Sequence, residues 1–516
     1  MRRFICLLLV FSMVTLLGIS LSGCGGKELI TFTWQVDSMP QSLDPQLAES
    51  VCERTAAEHL FRGLMMLDEN GQPVVDCAES YTISADQLTY TFTLKDDLFF
   101  HSYEKDSQPV PLSAKDFVFG ITRVFLPDTF SPYAQQLSGI AGSSDVLAGG
   151  DPSLLGISAP DDKTVIIRLS APDETFLTKL CCPGAMPCNE EFFRSTKGSY
   201  GLSSKQLLTN GDFQLYNWAE QGVFLRRQDA PAFAVNNLRL VLADPHEPVV
   251  GLEALQEGVV TGTEYRGEIP DGYTAQSFSD TLWALVFNCN EPQLANLAIR
   301  QSIGQLVHQS LGVQLPISTF SSANGILPPA LPLPDGSGHQ EQAISSFGEP
   351  LQLYQQGLSA LQQNKLSGIT VLLPQQEEIV HAFENTNQLL QKELAAFFSL
   401  QQLPEEELSQ KVASGDFSIA LVPLSPKSSE GSEFLQQILG LCSLPSTSSL
   451  KALEDTTLSA SQRKDYTLSA EQEVLQQAGI VPVWFEQRSF LTKSGWSGII
   501  YSPFGPRLNL RNATFQ

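Results

Sequence analysis

Apolar and polar positions change period along the chain, and each change marks an element. Over residues 29–36 the side chains alternate, with Ile30, Phe32 and Trp34 on one face and Thr31 and Thr33 on the other, which predicts a strand. Residues 89–94 and 164–169 alternate in the same way. Near-continuous apolar runs at 282–288, 366–373, 417–423 and 480–487 predict buried strands. The helical period predicts helices over 56–66, 294–311, 377–400 and 468–478. Another helix is expected to start at Ser113, with Asp116 at the capping-box position and Phe117, Val118, Ile121 and Val124 on its core face. Residues 67–73 read as a turn, and the Ser/Pro/Gly-rich stretches 321–339 and 422–450 as surface loops. Helices and strands interleave throughout with no internal repeat, so the fold class is α/β.

At 516 residues the chain exceeds one ordinary core, and two or three domains are expected. Its net charge of −25 argues against nucleic acid as a partner, because phosphate backbones select basic surfaces. The acidic excess is spread along the chain, as expected from solubility and charge repulsion near an anionic membrane. Outside the N-terminal region seven cysteines remain: Cys52, Cys77, Cys181, Cys182, Cys188, Cys289 and Cys442. An odd number cannot all pair, and sequence leaves one or two disulfides open. No Cys-x-x-Cys pair occurs and the six histidines are scattered, so neither a metal site nor a cofactor is expected. No Gly-x-Ser-x-Gly or His-Glu-x-x-His motif points to a hydrolase, although the many carboxylates leave an acid–base pair open.

The N-terminus carries an address. Arg2 and Arg3 precede an almost wholly apolar run over 4–19, and Leu21-Ser22-Gly23-Cys24 follows. This is the layout of a secretory signal peptide, and the tetrad resembles a bacterial lipobox. The resemblance implies cleavage between Gly23 and Cys24, a diacyl lipid on the Cys24 thiol, and a chain anchored on the extracytoplasmic face of the cell membrane. The run falls short of the roughly 20 apolar residues of a spanning helix, and no second run approaches that length.

A second resemblance covers most of the chain. Residues 78–97, Ala-Glu-Ser-Tyr-Thr-Ile-Ser-Ala-Asp-Gln-Leu-Thr-Tyr-Thr-Phe-Thr-Leu-Lys-Asp-Asp, resemble the signature of the family 5 extracellular solute-binding proteins. These are the oligopeptide-, dipeptide- and nickel-binding receptors of ABC importers. Other landmarks stand in the family's order: Leu43-Asp44-Pro45, Leu60-Phe61-Arg62-Gly63-Leu64, Ser113-Ala114-Lys115-Asp116-Phe117-Val118, Ser131-Pro132-Tyr133 and Thr209-Asn210-Gly211. Phe287-Asn288, Ile299-Arg300-Gln301 and Pro482-Val483-Trp484-Phe485 complete the series. The peptide-importing branch fits best.

The resemblance implies a periplasmic-binding-protein-like fold of two hinged lobes (class II, cluster C type) with an extra third domain. Lobe I would comprise 24–61, 186–280 and 488–516, the extra domain 62–185, and lobe II 281–487, behind a signal peptide over 1–23. It implies a monomeric receptor, not an enzyme, that closes on a peptide and hands it to permease subunits. Glu49 and Val51 would lie on the backbone edge that pairs with the peptide. Tyr133, Tyr265, Arg266 and Trp283 would line the cleft, and Trp484 would sit near the hinge. One departure stands out. Where the peptide receptors carry an aspartate for the ligand's ammonium, this chain has Lys427, and a lysine repels an ammonium in a desolvated cleft. The ligand is then anionic or N-blocked, or Glu430 takes over the role. Another solute, such as nickel or a sugar, or a sensor role on the same fold, stays open as the alternative.

Overall fold

The computed structural model describes residues 29–68, 71–104, 107–227, 230–246, 248–339, 347–426, 428–455, 458–504 and 508–516. Cys24 and Lys427 both lie outside them. Three sheets organise the molecule. The first has the order Ile30–Gln35, Val235–Val241, Gly222–Arg226, Gln214–Ala219, its first pair parallel and the rest antiparallel. Phe32 and Trp34 point inward, as their alternation requires, and join Leu60, Phe213, Leu238, Phe490 and Leu510 in one core. Helix Val51–Leu60 packs there, opened by Ser50 and Glu53 in a capping box.

The second sheet, Ala78–Ile83, Thr89–Leu94, Thr164–Arg168, Ile157–Ser158, is antiparallel. Phe92, Val165 and Ile167 share its core with Phe117, Ile121 and Val124 of helix Ala114–Phe125. That helix begins where the sequence predicts, with Ser113 and Asp116 capping it.

The third sheet has seven strands, in the order Gly262–Tyr265, Ile480–Lys493, Tyr273–Phe287, Ile419–Leu424, Thr370–Pro374, Ser399–Leu403, with Phe320–Ser322 also on Ile480–Lys493. Helices cover both faces. Leu282, Ala284 and Val286 face the layer of Gly431–Leu441 and Ala460–Gln476. Trp283, Leu285 and Phe287 face the layer of Leu297–Leu311 and Glu377–Leu394. A strand buried on both faces loses its polar alternation, which is why these segments read as continuous apolar runs.

Two strands exceed their predicted length, and they matter most. Tyr273–Phe287 and Ile480–Lys493 pair antiparallel throughout. Their Thr281–Phe287 and Ile480–Glu486 halves lie in the two cores on either face of the third sheet, while Phe278 and Phe490 at the other ends pack in the core of the first. Register shifts at Ser279/Thr281 and at Trp283/Ala284 interrupt the ladder where it passes between the cores. The polar residues of the outer halves, among them Thr274, Gln276, Ser277 and Ser489, hid this continuation from the apolar pattern.

Other boundaries also moved. The helix expected over 56–66 is Val51–Leu60, because its cap lies at Ser50 and Phe61 is already extended. Glu377–Leu394 stops at Ala395, which takes φ of 56° and closes the helix with no glycine to signal it; strand Ser399–Leu403 follows. The helix expected over 468–478 is Ala460–Gln476, opened by a capping box at Ser459. The stretch 422–450, read as loop, holds helix Gly431–Leu441, whose Phe434, Leu435 and Ile438 are buried. The seven described cysteines are free thiols, six of them buried. Burial pushes Cys52, Cys77, Cys182 and Cys188 up to about 12.

Candidate functional site

The landmark motifs hold the fold together. Asp44 takes a buried ion pair from Arg123 at 2.5 Å, and Gln46 accepts a hydrogen bond from the same guanidinium at 2.7 Å. Ser131 Oγ donates to the Gln46 carbonyl at 2.7 Å, and Tyr133 OH to the Ala48 carbonyl at 2.6 Å. The Leu-Asp-Pro and Ser-Pro-Tyr motifs thereby dock the second sheet's domain on the segment before Glu49. The Asn210 side chain both accepts from Arg62 N–H at 3.1 Å and donates to Arg62 C=O at 2.9 Å. Gly211 passes so close to His59 that a Cβ would lie 2.2 Å from its carbonyl oxygen. Arg300 is buried and donates to the carbonyls of Leu294, Ala295, Gln477 and Ala478.

Ion pairs gather where the two long strands cross between cores. Asp280, at the register shift, accepts from Arg488 at 2.8 and 2.5 Å, a two-pronged pair. Arg488 also reaches Glu264 at 3.3 Å, and Tyr501 donates its hydroxyl to the other Glu264 oxygen. Arg266, just beyond strand Gly262–Tyr265, reaches Glu486 at 3.6 Å and Glu405 at 3.3 Å. Glu486 is nearly buried and also accepts the Trp283 indole N–H at 2.8 Å. Burial pushes the Glu486 carboxyl up while Arg266 pulls against it. Coulombic and hydrogen-bond contacts with Asp280 hold Arg488 above its ordinary value despite burial. Next to the crossing, Thr281 and Ser425 hydroxyls meet at 2.9 Å. Two arginines thus face four carboxylates. Strands Ser399–Leu403 and Ile419–Leu424 end beside them at Glu405 and Ser425, and the carboxyl ends of α/β strands are where ligand crevices form. The charged pair Glu486 and Arg488, at the end of an apolar run, was the sequence signal for this crossing.

The candidate residues separate. Arg266 sits at the crossing, with Tyr265 half-buried beside it. Trp283 joins the group only through its indole N–H; at 1% exposed its ring packs on Phe320 in the core. Trp484 is fully buried and donates to the Leu311 and Gln314 carbonyls. Tyr133 is buried against Ala48 and Gly184. These three rings pack the interior rather than line an open cleft. Glu49 is exposed, yet its N–H and that of Ser50 are both taken by the Glu53 carboxylate at 3.0 and 2.9 Å. Val51 opens a helix, so the backbone edge expected at 49–51 is replaced by a helix cap. Glu430 stands apart, before helix Gly431–Leu441, in a crevice it shares with Asp173 and Lys179 of the second sheet's domain and with Arg463. Sequence reasoning missed Glu264, Asp280, Glu405, Glu486 and Arg488. Among the described residues no cluster of three His, Cys, Asp or Glu side chains is placed to hold a metal ion.

Comparison with known proteins places this architecture. The model of the bacterial extracellular solute-binding proteins, family 5 (middle region), matches residues 72–441. A dipeptide-binding protein of Lactococcus lactis subsp. cremoris is 31% identical over 205 residues, 39% of this chain and 36% of that protein. The chain therefore spans about a third of that relative's length. Dipeptide-binding protein DppE of Bacillus subtilis is 22% identical over 504 residues, 91% of this chain and 89% of that one. Among solved structures, peptide-bound OppA of Listeria monocytogenes aligns with a TM-score of 0.66 at 21% identity, covering 95% of this chain and 100% of that one. That likeness shows a shared two-lobed α/β fold.

Proposed function

Because the chain belongs to the family 5 bacterial extracellular solute-binding proteins, a family of receptors rather than enzymes, we propose that it binds peptides between its lobes. In this reading a lipid on Cys24 holds it at the membrane, and it hands its cargo to the permease of an ABC importer. Named relatives and a fold neighbour that bind peptides support the choice of ligand. The observation that carries the reading is the crossing of two continuous strands between cores, with its register shift at Asp280 and its facing charges. Such a crossing bends as a hinge while each lobe moves as a body. Closure then buries an extended peptide whose main chain pairs with protein backbone, which makes recognition tolerant of side chains.

The charges at the crossing also bear on Lys427. Four carboxylates against two arginines suit a cationic ligand end, so a carboxylate there or Glu430 takes the ammonium that an aspartate would have received. Calorimetry with one peptide in free-amine and N-acetylated forms tests this. The free-amine peptide is expected to bind at least about tenfold tighter, the worth of a lost charge-assisted hydrogen bond. Equal binding removes the ammonium site. No thermal shift with any peptide removes the peptide reading itself.

A further inference from the structure

One face of the first sheet packs in the core, and the other is partly open, with Gln214, Tyr216 and Arg226 lining a cavity against residues 101–104 and Ser107. On this other face Thr31, Asn237, Arg226 and Gln214 stand in register across the four strands. Beside them run Thr33, Arg239, Phe224 and Asn217. None of these positions is Asp or Glu, in a chain of net charge −25. Both arginines lie over aromatic rings, Arg226 at 3.9 Å from the Tyr216 centroid and Arg239 at 5.9 Å from that of Phe224. Arg239, Tyr216 and Asn217 are exposed.

This face lies where the chain enters the fold. Arg226 Nε donates to Asn237 Oδ1 at 3.1 Å, and Asn237 Nδ2 donates to Thr31 Oγ1 at 3.0 Å. The arginine is thus tied to the second residue of the first strand. The Ile30 N–H is itself held by Asn236 Oδ1 at 3.0 Å. Ile30 lies six positions after Cys24, a reach of at most about 21 Å.

We propose that this sheet face docks on an anionic lipid surface, the leaflet that holds the chain's own anchor. The inference rests on the lipid tether proposed above. Charges further from the membrane than about 8 Å are screened at physiological salt, so the total of −25 does not decide the approach. The face brought within that distance decides it, and this one offers the exposed Arg239 to lipid phosphates, with Arg226 next to it in a cavity where Lys205 and Arg227 accompany Glu104 and Asp212. Tyr216 and Phe224 add amphipathic ring surface at headgroup depth. Docking by this face gives the receptor one orientation instead of free swivelling on its tether.

The test uses the full lipidated chain carrying Asn217→Cys labelled with a fluorophore, in vesicles whose headgroups bear a spin-label quencher. In phosphatidylglycerol vesicles the label is expected to be quenched. In phosphatidylcholine vesicles, or in Arg226→Gln/Arg239→Gln, the docked-to-undocked ratio should drop about tenfold or more. Flotation reports anchoring separately and should not change. Equal quenching in both lipids, with the protein floating, overturns the docking face. Self-quenching between labels without lipid assigns the face to a second copy and overturns it too. If the chain fails to float on phosphatidylcholine, the tether is lost, and quenching with excess phosphatidylglycerol still decides the face.

Discussion

At the scale of single residues, two buried titratable neighbours set how stability responds to pH. His59 is fully buried; its Nδ1 faces the Thr55 carbonyl at 2.7 Å and its Nε2 accepts the Leu510 N–H at 3.0 Å. Nδ1 therefore holds the proton, and protonating Nε2 would break the bond that seats the C-terminal segment. Burial lowers His59 to about 4. Its contribution to stability is present above its ordinary value of 6.5 and is lost as pH falls through about 4. Glu58 next to it is raised by burial to about 7, so its contribution is present below 4.5 and is lost as pH rises through about 7. The two oppose each other in the window between 4.5 and 6.5. In a Glu58→Gln background, adding His59→Gln should flatten the loss of stability between pH 6.5 and 4, by on the order of 3 kcal/mol. Denaturant melts across pH measure it, and an unchanged slope excludes His59 as the source.

At the scale of elements, helix ends were legible where side chains cap them and hidden where backbone geometry does. Ser113 with Asp116 shows in the sequence because the cap is made of side chains three residues apart. Ala395 ends Glu377–Leu394 in the left-handed region, which costs a residue with a Cβ about 1 kcal/mol that glycine would not pay. Ala395→Gly should therefore stabilise the protein by roughly 0.5–1 kcal/mol, since the end conformation suits glycine. Its methyl is exposed, so nothing packed is lost; a fall in melting temperature would show that the freedom glycine adds to the unfolded chain outweighs the strain Ala395 carries.

At the scale of the whole molecule, Arg266 joins the strand end beside the first core to Glu405 on helix Glu405–Ser414 beside the third. The guanidinium is 39% exposed, so the pair is worth only about 0.2–1 kcal/mol. Because the pair bridges the two sides, Arg266→Gln should weaken ligand binding up to about fivefold. Glu405→Gln should do the same, and the double variant no more than either. Additive losses would show that the two residues act on the ligand separately. The sequence by itself determined the alternation of helices and strands, the buried runs and the ordered landmarks of the family. Each of these is written in residues near one another along the chain. Only the tertiary structure decided that Tyr133, Trp283 and Trp484 pack inward, that 49–51 is a helix cap, and that Asp280 meets Arg488 across 208 positions of sequence. The physical reason is that a strand packed on both faces looks uniformly apolar, so its pattern does not say which face a ring serves. An ion pair between distant segments leaves no periodic trace at all until the strands that carry it are laid side by side.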